Sequence, residues 1–210
     1  MAGKIIAFTG AHGTGKTTAV YGLAERCKRR GDSCGNVGIV LETARRCPMP
    51  IFSTACGKPS PETQMWIFGK QLQEEAEACF HYDLVICDRT LVDCIAYTRF
   101  LGYYMLAESM EQLAISIMGR YRQIVFRHIY GNDFLVDDGL RALDREDRER
   151  IEKIMLRIYK RMGIQLIEKE CQDLDRLADI ASISPCTGVI PVQDGLTTPT
   201  PFTNPEPESA

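Results

Sequence analysis

The chain has 210 residues, 45% of them apolar and 25% charged, with a formal net charge of −3. That is ordinary globular composition with enough chain for a sizeable core, which excludes a disulfide-held miniprotein and an acid-rich disordered chain. The mild acidity argues against broad adhesion to nucleic acid or to anionic membrane, while leaving room for a local basic pocket for phosphates.

The ten prolines fall in two clusters, Pro48 to Pro61 and Pro185 to Pro207. The interval between them is open to long helices and strands. A folded body over 1–182 and a disordered tail over 183–210, rich in Pro, Thr and Gly, are expected. The nine cysteines contain no CxxC and no Cys/His pair at zinc spacing. They read as reduced thiols of a cytoplasmic protein. No signal peptide is expected after Lys4, and no apolar stretch approaches the ~20 residues of a membrane span.

In chain order, KIIAFTG (4–10) is a short, nearly continuous apolar run that suits a strand buried on both faces. A glycine-rich turn follows, then a helix over 17–30 closed by Gly31 and a second strand over 37–41. A loop over 47–61 leads into a helix over 61–81, with Pro61 at its first position. Its apolar stripe is read as Met65, Phe68, Leu72, Ala76 and Cys79. Further strands are expected at 83–88, 123–129 and 164–169, and helices at 90–101, 109–121, 143–163 and 173–181. Strands alternating with helices imply right-handed crossovers and a parallel sheet covered on both faces. The fold class is therefore α/β, with five parallel strands.

Gly10-Ala11-His12-Gly13-Thr14-Gly15-Lys16-Thr17 matches GxxxxGK[ST], directly after a strand and opening a helix. The glycines turn backbone N–H groups inward around phosphate oxygens, and the helix N-terminus adds partial positive charge. Lys16 reaches the β- and γ-phosphates, and the Thr17 hydroxyl ligates Mg²⁺. ATP and Mg²⁺ are thus the expected cofactors, held by Gly10, His12, Gly13, Thr14, Gly15, Lys16, Thr17 and Thr18. The imidazole of His12 is expected to point away from the phosphates.

The strand at 83–88 ends in Asp88, which places a carboxylate beside the P-loop and near the metal. Arg89 follows, where a motor ATPase would carry a Glu to activate water, and no NKxD for guanine reading occurs. Asp88-Arg89 is either a phosphoryl-transfer centre or a structural ion pair. Glu42 ends the second strand, where it either accepts a proton from an acceptor hydroxyl or holds Arg45 in place. Arg45 is the candidate acceptor clamp, and Arg46 reads as a surface charge. On the helix after Pro61, Gln64, Trp66, Phe68 and Gln71 are candidates for the acceptor pocket; Phe68 reads rather as core, while Gln64 and Trp66 lie off the apolar stripe. The segment 137–150 carries Arg141, Arg145, Arg148 and Arg150. It is either a solvated charged helix or a mobile lid that keeps water from the γ-phosphate. Arg141, next but one after Gly139, is the favoured lid residue.

GAHGTGKTT, LETAR, VICDRTLVDCIAY and DDGLR, in that order over roughly residues 3–180, resemble the small P-loop kinase-like family that includes the ribosylnicotinamide kinase domain. The chain is also similar to the wider nucleoside and nucleotide kinases, thymidylate kinases included. The resemblance implies a three-layer P-loop NTPase fold, ATP and Mg²⁺ on Lys16 and Thr17, and Asp88 and Arg89 at the phosphoryl centre. It further implies Arg141 in the lid and Glu42 as the carboxylate that binds or activates the acceptor. No HxGH adenylyltransferase signature is present. The expected activity is phosphoryl transfer to a small acceptor, a nucleoside, nucleotide or related riboside. The alternative is an ATP-binding switch with the tail as its interaction segment.

Overall fold

A computed structural model of the protein describes residues 4–51, 58–129, 145–167 and 173–182. The central strand β1 (Ile5–Thr9) is buried along its whole length. It pairs in parallel with β3 (Leu84–Asp88) on one side and β4 (Tyr121–Phe126) on the other. The edge strand β2 (Val37–Val40) pairs with β3, giving the order β2-β3-β1-β4.

The period-two alternation of strands sorts their side chains between two cores. Ile5, Ala7, Val85, Cys87, Ile124 and Phe126 face one cluster, and Ile6, Phe8, Leu84, Ile86 and Val125 face the other. The second cluster is closed by α1 (Lys16–Arg29) and α6 (Leu174–Ser182). The first is closed by α2 (Pro61–His81), α3 (Leu91–Phe100), α4 (Tyr104–Ile115) and α5 (Arg145–Arg161). Helices thus cover both faces of a parallel sheet, and the three-layer α/β expectation holds.

The expected fifth strand is a correction: the sheet has four strands among the described residues. Of 164–169, Ile167 makes an isolated parallel bridge to Val125, through Phe126 N–H to the Ile167 carbonyl and Ile167 N–H to the Ile124 carbonyl. A single bridge at the sheet edge does not extend the ladder, and 168–172 lie outside the described residues. The expected tail, Arg141 and most of the expected lid, 137–144, also lie outside them. Residues 145–150 form the opening turns of α5, where Arg145 pairs with Glu149 and Arg150 with Asp147.

Helix α2 starts and stops where the sequence places it, with Ser60 accepting from Thr63 N–H as its N-cap. Its buried face differs from the expected stripe. Met65 and Ala76 are exposed, while Gln64, Ile67, Phe68, Gln71, Glu75 and Ala78 point inward. The helix is rotated because its polar residues have partners inside. Gln71 donates to Glu75, and Tyr121 donates to the same carboxylate at 2.7 Å. Trp66, half-buried, packs against the core from the flank.

Candidate active site at the carboxyl ends of the strands

All four strands are parallel, so the segments leaving β1, β2, β3 and β4 gather along one edge, where open α/β sheets bind ligands. The loop leaving β1 turns on Gly10, Gly13 and Gly15, at φ of 135°, 74° and 74°. Gly10 is required twice over, because a Cβ there would also lie 2.3 Å from the Arg127 carbonyl oxygen. Arg127, just past β4, supports the loop through Nε to the Thr14 carbonyl and through its backbone N–H to the Thr9 carbonyl. Thr14 donates its hydroxyl to the Ala11 carbonyl, so the loop is braced on itself.

Lys16 is buried and donates to the same Ala11 carbonyl at 2.6 Å. Burial pushes its ammonium down to about 7, helped by the charge of Arg89 and opposed by Asp93, Asp88 and Glu42. A phosphate oxygen could take the place of that carbonyl and restore the full charge. Thr17 and Thr18 are exposed on the first turn of α1, and the Thr17 hydroxyl donates to Asp88 Oδ2. The other oxygen of Asp88, Oδ1, is buried without a hydrogen-bond partner among the described residues. A hydroxyl and an unsatisfied carboxylate oxygen beside a phosphate-binding loop fit Mg²⁺, which favours oxygen ligands and keeps waters and phosphates in its shell. The described residues hold no group of three His, Cys, Asp or Glu that would make an all-protein metal cage.

Arg89 is the single described non-glycine residue with positive φ, at 89°. Such a conformation costs on the order of 1–3 kcal/mol and persists only where the surroundings fix it. Here they do. Its backbone N–H bonds the Phe8 carbonyl, its Nε and one terminal nitrogen reach Glu42 Oε1 at 2.9 and 2.8 Å, and its other terminal nitrogen reaches Asp93 Oδ1 at 3.2 Å. The guanidinium also lies over the Tyr97 ring, 5.4 Å from its centre. Glu42 in turn accepts from Arg45 Nε through Oε2. Lys16, Thr17, Asp88, Arg89, Glu42 and Arg45 therefore form one constellation. Arg46 is an exposed surface residue, as expected, and pairs with Glu74.

The acceptor candidates are less close-knit. Gln64 is buried and accepts from Thr98 at 3.3 Å, on the inward face of α2 rather than off it. Trp66 makes no described contact with the constellation. The His12 imidazole meets α3, with Nδ1 3.2 Å from the Tyr97 hydroxyl.

Asp93 is the residue that sequence reading missed. Its Oδ2 accepts from the Thr9 hydroxyl and from the N–H and hydroxyl of Thr90, while Oδ1 holds Arg89. Thr90 and Asp93 form the capping box that starts α3, and Thr90 also meets the Tyr159 hydroxyl at 2.6 Å. The signal was present as T-x-x-D ahead of an apolar run.

A sequence profile described as an AAA domain matches residues 5–175. No curated protein matches the chain. Among solved structures, thymidylate kinase from Ehrlichia chaffeensis is similar at a TM-score of 0.56 and 19% identity, covering 86% of this chain and 96% of that one. Thymidylate kinase from Candida albicans is similar at 0.57 and 12%, covering 85% and 89%. Deoxyadenosine kinase from M. mycoides, solved with dCMP and dCDP bound, is similar at 0.59 and 15%, covering 84% and 95%. At such identities the likeness establishes the fold.

Proposed function

The chain belongs to the AAA domain family in its P-loop, kinase-like form, and on that premise we propose that it is an ATP- and Mg²⁺-dependent phosphotransferase acting on a nucleoside, a nucleotide or a related riboside. The observation that carries the reading is the Arg89 bridge. The guanidinium of Arg89, which follows Asp88 at the end of β3, bridges to Glu42 past the end of β2, the side on which we place the acceptor. That is the arrangement phosphoryl transfer between two bound substrates needs. A water-activating carboxylate after Asp88, which a motor would use, is replaced by a cation.

The roles follow from positions. Lys16 leaves the Ala11 carbonyl for the β- and γ-phosphate oxygens, and the N–H groups of 13–17 cradle the same phosphates. Thr17 and Asp88 would hold Mg²⁺, which when bound offsets the phosphate charge. Arg89, itself buried, would lie beside the transferring group and stabilise charge that builds there. Glu42 orients the acceptor, and Asp93 keeps Arg89 aimed. Arg141 is assigned to the lid on the resemblance alone.

The test is ADP release from ATP and Mg²⁺ with a panel of nucleosides, monophosphates and nicotinamide riboside. At least one acceptor should raise turnover well above the acceptor-free rate, and Lys16→Ala should abolish the gain. A panel in which every acceptor leaves the rate unchanged sinks the reading.

A further inference from the structure

Resting on the phosphotransferase reading, we infer that Glu75 is a positioning residue: with Gln71 and Tyr121 it forms a buried bracket that fixes the spacing between Glu42 and Arg89. The bracket runs through Thr43, Gln71, Glu75, Tyr121 and Leu91, all of them buried. Thr43 donates its hydroxyl to Gln71 Oε1 at 3.2 Å, and Gln71 Nε2 donates to Glu75 Oε1 at 2.9 Å. From the other end, the Leu91 backbone N–H donates to the Tyr121 hydroxyl at 3.2 Å, and that hydroxyl donates to Glu75 Oε1 at 2.7 Å. Arg120 stands 3.5 Å from Glu75 Oε2.

Both ends of the bracket lie beside the Arg89–Glu42 bridge in the chain. Thr43 is the residue after Glu42, and Leu91 comes two residues after Arg89. The carboxylate at the centre belongs to α2, so the segment leaving β2 and the start of α3 are tied together through a third element.

Two details make this more than packing. Thr43 stands at the N-cap of the short helical turn Ala44–Arg46, yet its side chain does not cap that turn and goes to Gln71 instead. An apolar face on α2 would fill the same space without the desolvation cost of a carboxylate, an amide and a phenol. A satisfied polar network in a low-dielectric interior holds its members to one arrangement. That matters at the bridge, where Arg89 meets Glu42 at 2.9 and 2.8 Å. A displacement of about 1 Å in such a site can cost on the order of 10²-fold in rate.

The experiment breaks the bracket at either end in the full chain, by removing one hydroxyl at a time. Tyr121→Phe takes away the acceptor for Leu91 and the donor to Glu75, and Thr43→Val takes away the donor to Gln71. Turnover is measured with ATP, Mg²⁺ and the acceptor of the panel that gives the highest rate. Each variant should lower kcat about tenfold or more, with the KM for ATP within about twofold of wild type. The double variant should lie close to the worse single one, because both changes act through Glu75. Thr43→Ser, which keeps the hydroxyl, should restore most of the lost turnover. Amide hydrogen exchange without substrate gives a readout that needs no turnover. Tyr121→Phe should speed exchange across 42–47 and Thr43→Val across 89–93, in each case at the far end of the bracket. A kcat within about twofold of wild type in either variant, or effects on kcat that multiply in the double variant, overturns the inference and leaves the kinase reading intact. So does faster exchange confined to the altered end. A wild-type chain that turns over no acceptor overturns the kinase reading and with it the role in transfer, and exchange at the far end then decides the bracket itself.

Discussion

Arg89 and Glu42 are joined through two nitrogens of the guanidinium on one carboxylate oxygen, at 2.9 and 2.8 Å, across the gap between β3 and the end of β2. The pair is enclosed, and the backbone of Arg89 is held at a φ of 89° to make it. A residue of unusual conformation that spends its side chain on two carboxylates is poised for a task a simpler surface pair would not require.

Lysine keeps the charge at this position but not the fork. Arg89→Lys can meet Glu42 or Asp93, not both, so the protein should stay folded while kcat falls about 10²-fold or more. Steady-state kinetics beside a melting curve decide it. A variant that keeps more than a third of wild-type kcat would show that the fork is not needed.

Asp88 gives the opposite pattern. Its Oδ1 is buried without a partner among the described residues, a cost to the empty protein that a bound cation would repay. Asp88→Asn keeps an acceptor for the Thr17 hydroxyl and removes the buried charge. The melting temperature without nucleotide should hold or rise, while turnover is lost and Mg²⁺ no longer raises the melting temperature in the presence of ATP. A marked fall in the melting temperature would mean that Asp88 is chiefly structural.

The P-loop, Asp88, Arg89 and Glu42 were legible because each stands next to a strong strand signal, and a parallel sheet brings strand ends together. Helix α2 shows where that legibility ends. Its apolar residues suggest one face, yet the helix buries Gln64, Gln71 and Glu75 because partners from β4 and α3 wait for them. Such partners lie far apart in sequence: Tyr121 is 46 positions from Glu75. Asp93 was hidden for the same reason. Its local role as a cap is readable, but its hold on Arg89 depends on a backbone turned to positive φ, which no residue type announces. The fifth strand failed differently, since IQLIEK has strand-like composition but makes only one bridge among the described residues.

Asp93 is a positioning residue, and its test must separate aim from stability. Asp93→Ala removes the acceptor for Thr9, for Thr90 and for Arg89, and should cost about 3 kcal/mol or more, the scale seen when a buried charge loses its partner. Asp93→Asn retains one acceptor oxygen and the cap. It should melt much nearer to wild type yet lower kcat at least tenfold, with the KM for ATP little changed, because Arg89 loses one of its two anchors. If the kcat of the Asn variant merely follows its stability, Asp93 is a cap and nothing more.

Glu75 predicts how stability depends on pH. It lies fully buried between Gln71, Tyr121 and Arg120, and burial pushes its carboxyl up to about 7 from an ordinary 4.5 against those three opposing contacts. Between those two values the folded protein holds a proton that the unfolded chain has released. Stability from this group is therefore fully present below about pH 4.5 and is lost as pH rises through 7. Glu75→Gln cannot titrate. Its urea-unfolding free energy, measured from pH 5 to 8, should fall less steeply with pH than that of wild type, so that the variant gains on wild type as the solution becomes more basic. The absolute offset between the two proteins is set by how well the amide replaces the carboxyl between Tyr121 and Arg120, but the difference in slope is not. Parallel slopes across that range would show that Glu75 stays ionised in the folded protein, held so by the Tyr121 hydroxyl and the Arg120 guanidinium.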